Sequence, residues 1–156
     1  MAVVRVDSDR SALPPVEPVA AAISEAGTIP GVRAVQVDFD AALSQRGFYR
    51  NVLRQVRSSL RPDQPLSITA LASWCEADHW IDGLPVAEAV PMLFRMGAEE
   101  RPGRTFRPAL CRSSAGVSLD EPLAAPPAAP RLYIFNPRAW SPSDFRYAVY
   151  EVRRWH

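Results

Sequence analysis

Two carboxylates stand two residues apart at the end of Gly31-Val32-Arg33-Ala34-Val35-Gln36-Val37-Asp38-Phe39-Asp40. Val35, Val37 and Phe39 alternate with Gln36, Asp38 and Asp40. Successive strand residues face opposite sides, so the apolar set points one way and the polar set the other. Like charges this close push one carboxyl toward its protonated form, which suits a general acid near neutral pH. The competing expectation is structural: Asp38 pairs with Arg5 or Gln36, and Asp40 is an ordinary acid at a strand end. A second acidic pair, Asp120 and Glu121, follows Gly116-Val117-Ser118-Leu119 and precedes Pro122. It is either a second site carboxylate or a turn. Arg5, Asp7 and Arg95 are candidates to hydrogen-bond a substrate, against the alternative that Arg5 and Arg95 neutralise buried acids. Trp74 and Trp140 each follow a strand, where an indole is either a stacking platform or core packing beneath a loop.

Other chemistries lack their residues. His79 is a lone histidine in a loop, without neighbours at metal-ligand spacing. Ser67 and Thr69 have no histidine placed to activate them, and no glycine-rich phosphate loop is present. All 18 basic residues are Arg, so no lysine exists to form a Schiff base. Cys75 and Cys111 are too few and too far apart for a zinc signature; a disulfide and two buried thiols are both open. No cofactor is implied.

The elements that must position these residues follow from periodicity. Ala2-Val3-Val4-Arg5-Val6-Asp7 has the same design as the acidic strand, with Arg5 and Asp7 on one face. Val19–Ala26 reads as a short helix ending at Gly27. Ala41–Leu60 is the clearest helix: Phe48, Tyr49, Val52, Leu53, Val56 and Leu60 keep the three-and-four spacing of an amphipathic face. Leu66–Leu71 alternates again, with Ser67 and Thr69 on its polar face. Ala72–Asp78 reads as a loop and His79–Gly83 as a single helical turn. Ala89–Arg95 is a strand despite Pro91, Gly116–Leu119 a short strand, and Arg131–Asn136 the last. Gly97–Pro108 reads as a long loop and Ala124–Pro130 as a Pro/Ala linker. Ser141-Pro142-Ser143-Asp144 is a helix start with a Ser cap, Pro at the first position and an acid three residues after the cap. Phe145, Ala148, Val149 and Val152 form the apolar face of that helix.

Strands separated by helices imply parallel pairing through right-handed crossovers. Polar groups at the carboxyl ends of parallel strands are where α/β barrels and open sheets place their sites. At 156 residues the chain makes one ordinary domain, and its 47% hydrophobic and 22% charged residues are globular values. A net charge of +1 gives no electrostatic reason to expect nucleic acid. No apolar run reaches the ~20 residues of a membrane span. The first residues lack the basic region and apolar core of a signal peptide, so the chain as written reads as cytoplasmic.

The segments GVRAVQVDFDA, PLSITALASWC, AVPMLFRMG, GVSLDEP and RLYIFNPRAW, in that order, resemble an uncharacterised bacterial family, domain of unknown function 3142, which is similar to the TIM-barrel glycoside hydrolases. The resemblance runs from about Val3 to the C-terminus. It implies a single domain over 1–156, an incomplete (β/α)8 barrel with about six parallel strands and helices on the outer face. These would be strand units three to eight, with units one and two absent. Gln36-Val37-Asp38-Phe39-Asp40 is similar to the fourth-strand motif of the chitinase-like glycosidases, which ends Asp-x-Asp-x-Glu. Asp40 stands at the position of the proton-donating Glu, Asp38 at the neighbouring Asp, and Gln36 where that motif has its first Asp. The resemblance thereby implies a carbohydrate-active hydrolase. Asp40 would be its acid, Glu121 or Asp120 the second carboxylate across a sugar bond, and Trp74 and Trp140 a sugar platform. A polysaccharide or oligosaccharide is the implied partner. The alternatives are a non-catalytic glycan-binding or scaffold barrel, or an inactive truncated fragment. Six strands of eight leave open edges that invite self-association. Relatives of this family are expected to be exported.

Overall fold

Alternation of apolar and polar residues produces six strands, and each crossover returns the chain to the same end of the sheet. The computed structural model describes residues 1–7, 12–76, 78–95, 106–121 and 127–154; most of Gly97–Pro108 and much of Ala124–Pro130 lie outside the described residues. In chain order the elements are β1 (Ala2–Arg5), α1 (Val16–Ala26), β2 (Val35–Asp38), α2 (Arg46–Ser59), β3 (Leu66–Leu71), α3 (Ala72–Glu76), β4 (Glu88–Met92), β5 (Ala115–Ser118), β6 (Leu132–Phe135) and α4 (Pro142–Arg154). Single 3-10 turns occur at Leu43–Gln45, His79–Ile81 and Ala109–Cys111. The strands lie in the order β1-β2-β3-β4-β5-β6, and every pairing is parallel. The sheet curls into a half-barrel. The expected α/β fold with six parallel strands is therefore present.

One face of the sheet is apolar and packed by helices. Val35 and Val37 of β2, Leu66, Ile68 and Ala70 of β3, and Ala89 of β4 join Ala20 and Ile23 of α1 in one buried cluster. Tyr49, Val52, Leu53 and Val56 of α2 complete it; their spacing is the amphipathic pattern read from the sequence. Each Val, Leu or Ile among them contributes about 1.5–3 kcal/mol through burial. Gly27 ends α1 where it meets the sheet: a Cβ there would lie 2.7 Å from Leu60 Cδ2 and 3.1 Å from Val35 Cγ2. A larger residue there would require the Leu60 and Val35 side chains to shift.

The other face is polar, and most of its polar groups are paired, although Gln36 Oε1 is buried without a hydrogen-bond partner. Gln36 Nε2 donates to Ser67 Oγ at 3.0 Å. Near the amino ends of β4, β5 and β6, the buried Glu88 carboxylate accepts from Tyr133 Oη at 2.6 Å, Ser114 Oγ at 2.9 Å and Arg131 Nη1 at 3.2 Å. Its partners satisfy both oxygens, so a charge inside the curl is tolerated. Gly116 gives this face room, since a Cβ would meet Met92 Sδ at 2.8 Å and the Phe135 ring at 3.1 Å.

Ala72–Asp78 is not a loop. Ala72–Glu76 forms α3, and Trp74 and Cys75 are both buried against the core. Five residues are too few to display a helical period, so the pattern concealed it. Cys75 is joined to Cys111 by a disulfide with a Cα–Cα distance of 5.9 Å, which settles the alternatives left open for the two thiols. It ties the end of α3 to the turn preceding β5, on either side of β4.

The start of α4 is as read. Asp144 N–H donates to Ser141 Oγ at 3.1 Å, and Ser141 N–H donates back to Asp144 Oδ2 at 3.0 Å, a reciprocal capping box. The apolar face of α4 is only partly covered. Ala148 is buried, but Phe145 is 63% exposed, and Leu132, Ile134, Trp140, Val149 and Val152 line an open groove between β6 and α4. β6 is an edge strand, so among the described residues nothing beyond it closes over this face.

Candidate active site at the carboxyl ends of the strands

Parallel strands place all their carboxyl ends along one edge, and seven of the candidate acids and bases gather there, four in one group and three in another. The first is built on β1, β2 and β3. Arg5 and Asp38 are register partners on adjacent strands, so their side chains share the polar face. Arg5 Nη1 donates to Asp38 Oδ2 at 2.8 Å. Thr69 of β3 donates from its hydroxyl to the other oxygen, Asp38 Oδ1, also at 2.8 Å. Arg5 Nε donates to Asp7 Oδ1 at 3.0 Å, and Arg5 Nη2 stands 3.8 Å from Asp40 Oδ2. One guanidinium thus faces three carboxylates, one of which it engages only through space.

The three acids differ in environment. Asp38 is covered, with 14% of its side chain exposed, whereas 59% of the Asp40 side chain is open. Partial burial pushes the Asp40 carboxyl above the usual carboxylate range. The neighbouring charge of Asp38 adds to this, Asp7 adds less, and Arg5 opposes it. Asp40 therefore holds its proton to higher pH than an ordinary aspartate. Behind β2, on the helix side, Tyr49 is fully buried and donates a long 3.4 Å hydrogen bond to the Val37 carbonyl. Burial raises its phenol well above the ordinary value, so it stays neutral.

The second group is built on β4 and β5. Arg95, just past β4, has φ 55°, the left-handed region that a non-glycine residue rarely occupies. Its backbone N–H donates to Glu121 Oε2 at 2.9 Å. Its guanidinium lies 3.9 Å from Asp120 Oδ2, and Ser118 Oγ donates to Asp120 Oδ1. The Ser118 hydrogen bond holds the Asp120 carboxyl below the usual range, helped by a backbone N–H and by the charges of Arg95 and Arg138, with some desolvation opposing. Asp40 and Asp120 are therefore shifted in opposite directions. Each sits two residues past the last residue of its strand, Asp38 for β2 and Ser118 for β5. The two strands are three spacings apart, about 14 Å measured along the sheet, a span that the curl shortens.

The two candidate tryptophans, Trp74 and Trp140, are elsewhere. Trp74 is a core residue rather than a sugar platform: it is 3% exposed and meets the Trp80 ring edge-on at 4.8 Å. A short helix turned it inward, where a loop would have left it open. Trp140 is half exposed and lines the groove with Leu132 and Ile134. Those residues alternate with Tyr133, whose hydroxyl reaches Glu88 on the polar face, so Trp140 lies on the opposite side of β6. The structure brings neither indole to the carboxylates.

Two contributors escaped the reading of the chain. Thr69 was visible only as a polar-face residue of β3, and its alternation with Ile68 and Ala70 is the signal that places it beside Asp38. Glu88 begins a strand in which Glu88, Val90 and Met92 share one face, and that period marks it as inward. Among the described residues no group of three or more His, Cys, Asp or Glu could hold a metal ion, and no helix is long and apolar enough to cross a membrane. Comparison with protein families, with curated proteins and with solved structures finds no match.

Proposed function

We propose that this chain is a carbohydrate-active, glycoside hydrolase-like protein built on a partial TIM-like barrel. Asp40 is its general acid and Asp120 the second carboxylate. The observation that carries this is the opposite displacement of the two carboxyls at equivalent positions on one sheet edge. Burial holds the Asp40 proton to higher pH than an ordinary aspartate keeps its own, and the Ser118 hydrogen bond makes Asp120 give up its proton at lower pH. A protonated acid gives its proton to a glycosidic oxygen, while a carboxylate facing the same sugar attacks or activates water. Asp38 stays behind Asp40 as a fixed charge, Arg5 orders the group, and Arg95 faces the substrate from β4. Glu121 is assigned a supporting role, since its carboxylate is engaged by the Arg95 backbone. The resemblance to domain of unknown function 3142 supports the same reading.

Turnover assays test it. The protein is incubated with a panel of polysaccharides and aryl glycosides, beside Asp40→Asn and Asp120→Asn. Hydrolysis by the parent, reduced about 10²–10⁴-fold in each variant, is the expected result. Glycan binding that survives Asp40→Ala with no bond ever cleaved would establish a glycan-binding barrel instead.

The buried Cys75–Cys111 disulfide bears on location. Disulfides persist in oxidising compartments, which supports export of the protein rather than residence in the cytoplasm. The edges of the curled sheet at β1 and β6, with Met1 and Val3 exposed on the former, support self-association or completion by further strand units. Size-exclusion chromatography of the oxidised protein checks this.

A further inference from the structure

We propose that Thr69 is a positioning residue for the acid pair: its hydroxyl and the Arg5 guanidinium, reaching in from opposite sides of β2, hold the Asp38 carboxylate in place beside Asp40. The role rests on Asp40 being the proton-carrying group of the proposed hydrolase.

The geometry leaves Asp38 little freedom. β2 is flanked by β1 and β3, and each neighbour supplies one donor to a different carboxylate oxygen, both at 2.8 Å. Two donors from two strands define the carboxylate plane, which a single ion pair to a mobile arginine would not. The register explains why Thr69 is the residue that reaches. Gln36 pairs with Ser67 and Val37 with Ile68, so the next step along both strands sets Thr69 beside Asp38. Thr69 is 2% exposed. A buried hydroxyl requires a partner, and branching at Cβ restricts its rotamers, so the donor is fixed before any ligand arrives. The same strand gives a contrast: Ser67, two residues earlier, receives a hydrogen bond from Gln36 and so serves the floor of the sheet.

Among the described residues, the charged and titratable surroundings of Asp40 are few. β1 and the residues after it bring Arg5 and Asp7, β2 itself brings Asp38, and α2 brings the neutral phenol of Tyr49 from behind. β3 presents only the neutral Thr69 hydroxyl. Thr69 therefore acts on Asp40 through the position of Asp38 and carries no charge of its own to the site. With Asp38 held close, its anion favours the proton on Asp40. With Asp38 free to turn away, that repulsion weakens and Asp40 gives up its proton at lower pH.

The test is an NMR titration of the Asp40 side-chain carboxyl in uniformly ¹³C-labelled protein, which needs no substrate. In Thr69→Val the Asp40 midpoint is expected to fall by roughly half to one pH unit, a part of the ~1–2 units that a hydrogen bond to a charged group is worth, because the effect reaches Asp40 only through Asp38. Thr69→Ala, which also lacks the hydroxyl, is expected to move it the same way, and Thr69→Ser to restore the parent value. An Asp40 midpoint unchanged in the Val and Ala variants overturns the proposal. So does a Ser variant shifted as far as they are, since a merely structural role would not follow the hydroxyl. Hydrolysis is scored separately. A shift that tracks the hydroxyl in a protein that cleaves no glycan upholds the positioning role and removes the hydrolase reading.

Discussion

Arg95 adopts a left-handed backbone at φ 55°, and the carboxylate of Glu121, 26 positions later, accepts its N–H at 2.9 Å. A non-glycine residue in that region is strained by roughly 1–3 kcal/mol and persists only where its surroundings hold it. The contact gives the adjacent acids at the end of β5 separate duties. Glu121 supports the turn that presents Arg95, and Asp120, bonded by Ser118, stays available as an anion. Glu121→Gln retains an acceptor oxygen and is expected to keep activity within about threefold, whereas Asp120→Asn loses about 10² or more. Glu121→Ala is expected to lower stability by about 1 kcal/mol in urea denaturation. Equal loss of turnover in Glu121→Gln and Asp120→Asn would reverse the assignment.

The Asp40 carboxyl binds its proton more tightly in the folded chain than an ordinary aspartate does. A raised folded pKa contributes stability that is present below the unfolded pKa, near 3.9, and is lost as pH rises through the folded value. Asp40→Asn is therefore expected to be more stable than the parent at pH 7, with the difference closing below about pH 4. Thermal melts of both proteins across that range check the sign; a variant less stable at pH 7 would contradict it.

Asp144 shows the opposite behaviour. Hydrogen bonds from the Ser141 hydroxyl and backbone N–H, with Arg138 beside it, lower its carboxyl to about 2. Stability from a depressed group is present above the unfolded value, near 3.9, and is lost as pH falls through the folded one. Protection factors of the α4 amides, the intrinsic exchange rate at each pH divided by the observed rate, are expected to be high near neutral pH and to fall progressively below about pH 4. Asp144→Asn should show low protection factors at both ends and little change between them.

Glu88 holds together the amino ends of three strands by accepting from Ser114, Arg131 and Tyr133. Glu88→Ala leaves the buried Ser114 hydroxyl and the partly covered Tyr133 hydroxyl without their partner and is expected to destabilise the fold by about 1–3 kcal/mol. Tyr133→Phe removes one bond and is expected to cost about 1 kcal/mol. Urea midpoints measure both. Turnover per folded molecule should be unchanged, because this cluster lies at the end of the sheet remote from Asp40.

The disulfide closes a separation of 36 residues between two fully buried cysteines. Cys75→Ala with Cys111→Ala is expected to lower stability by roughly 3–4 kcal/mol. In the parent, dithiothreitol should change the melting temperature only when present during unfolding. Rapid reduction of the native protein, read by thiol labelling and mass spectrometry, would contradict that burial.

The legible parts of this protein are local. A period of two marked β1, β2, β3 and the later strands, and also which side of each strand is polar. A three-and-four spacing marked α2, and Ser141 with Asp144 marked the start of α4. These patterns arise from backbone geometry over a few residues, so the chain states them directly. The candidate acids Asp38, Asp40 and Asp120 were legible for the same reason, as polar positions at or just past strand ends. α3 was not, because a five-residue helix is shorter than the pattern needed to see it, and Trp74 was misplaced with it.

Sequence alone thus determined the strands, their polar face and the set of acids along one edge. Only the tertiary structure decided which group each acid is paired with. Arg5 and Thr69 converge on Asp38 from 33 and 31 positions away. Glu121 is taken up by the Arg95 backbone, Glu88 is buried among donors from β5 and β6, and Cys75 finds Cys111. Such pairings depend on strand register and on the curl of the sheet, which sum contributions from the whole chain. An isolated stretch sets which way a side chain points; its partner is set by the strand folded beside it.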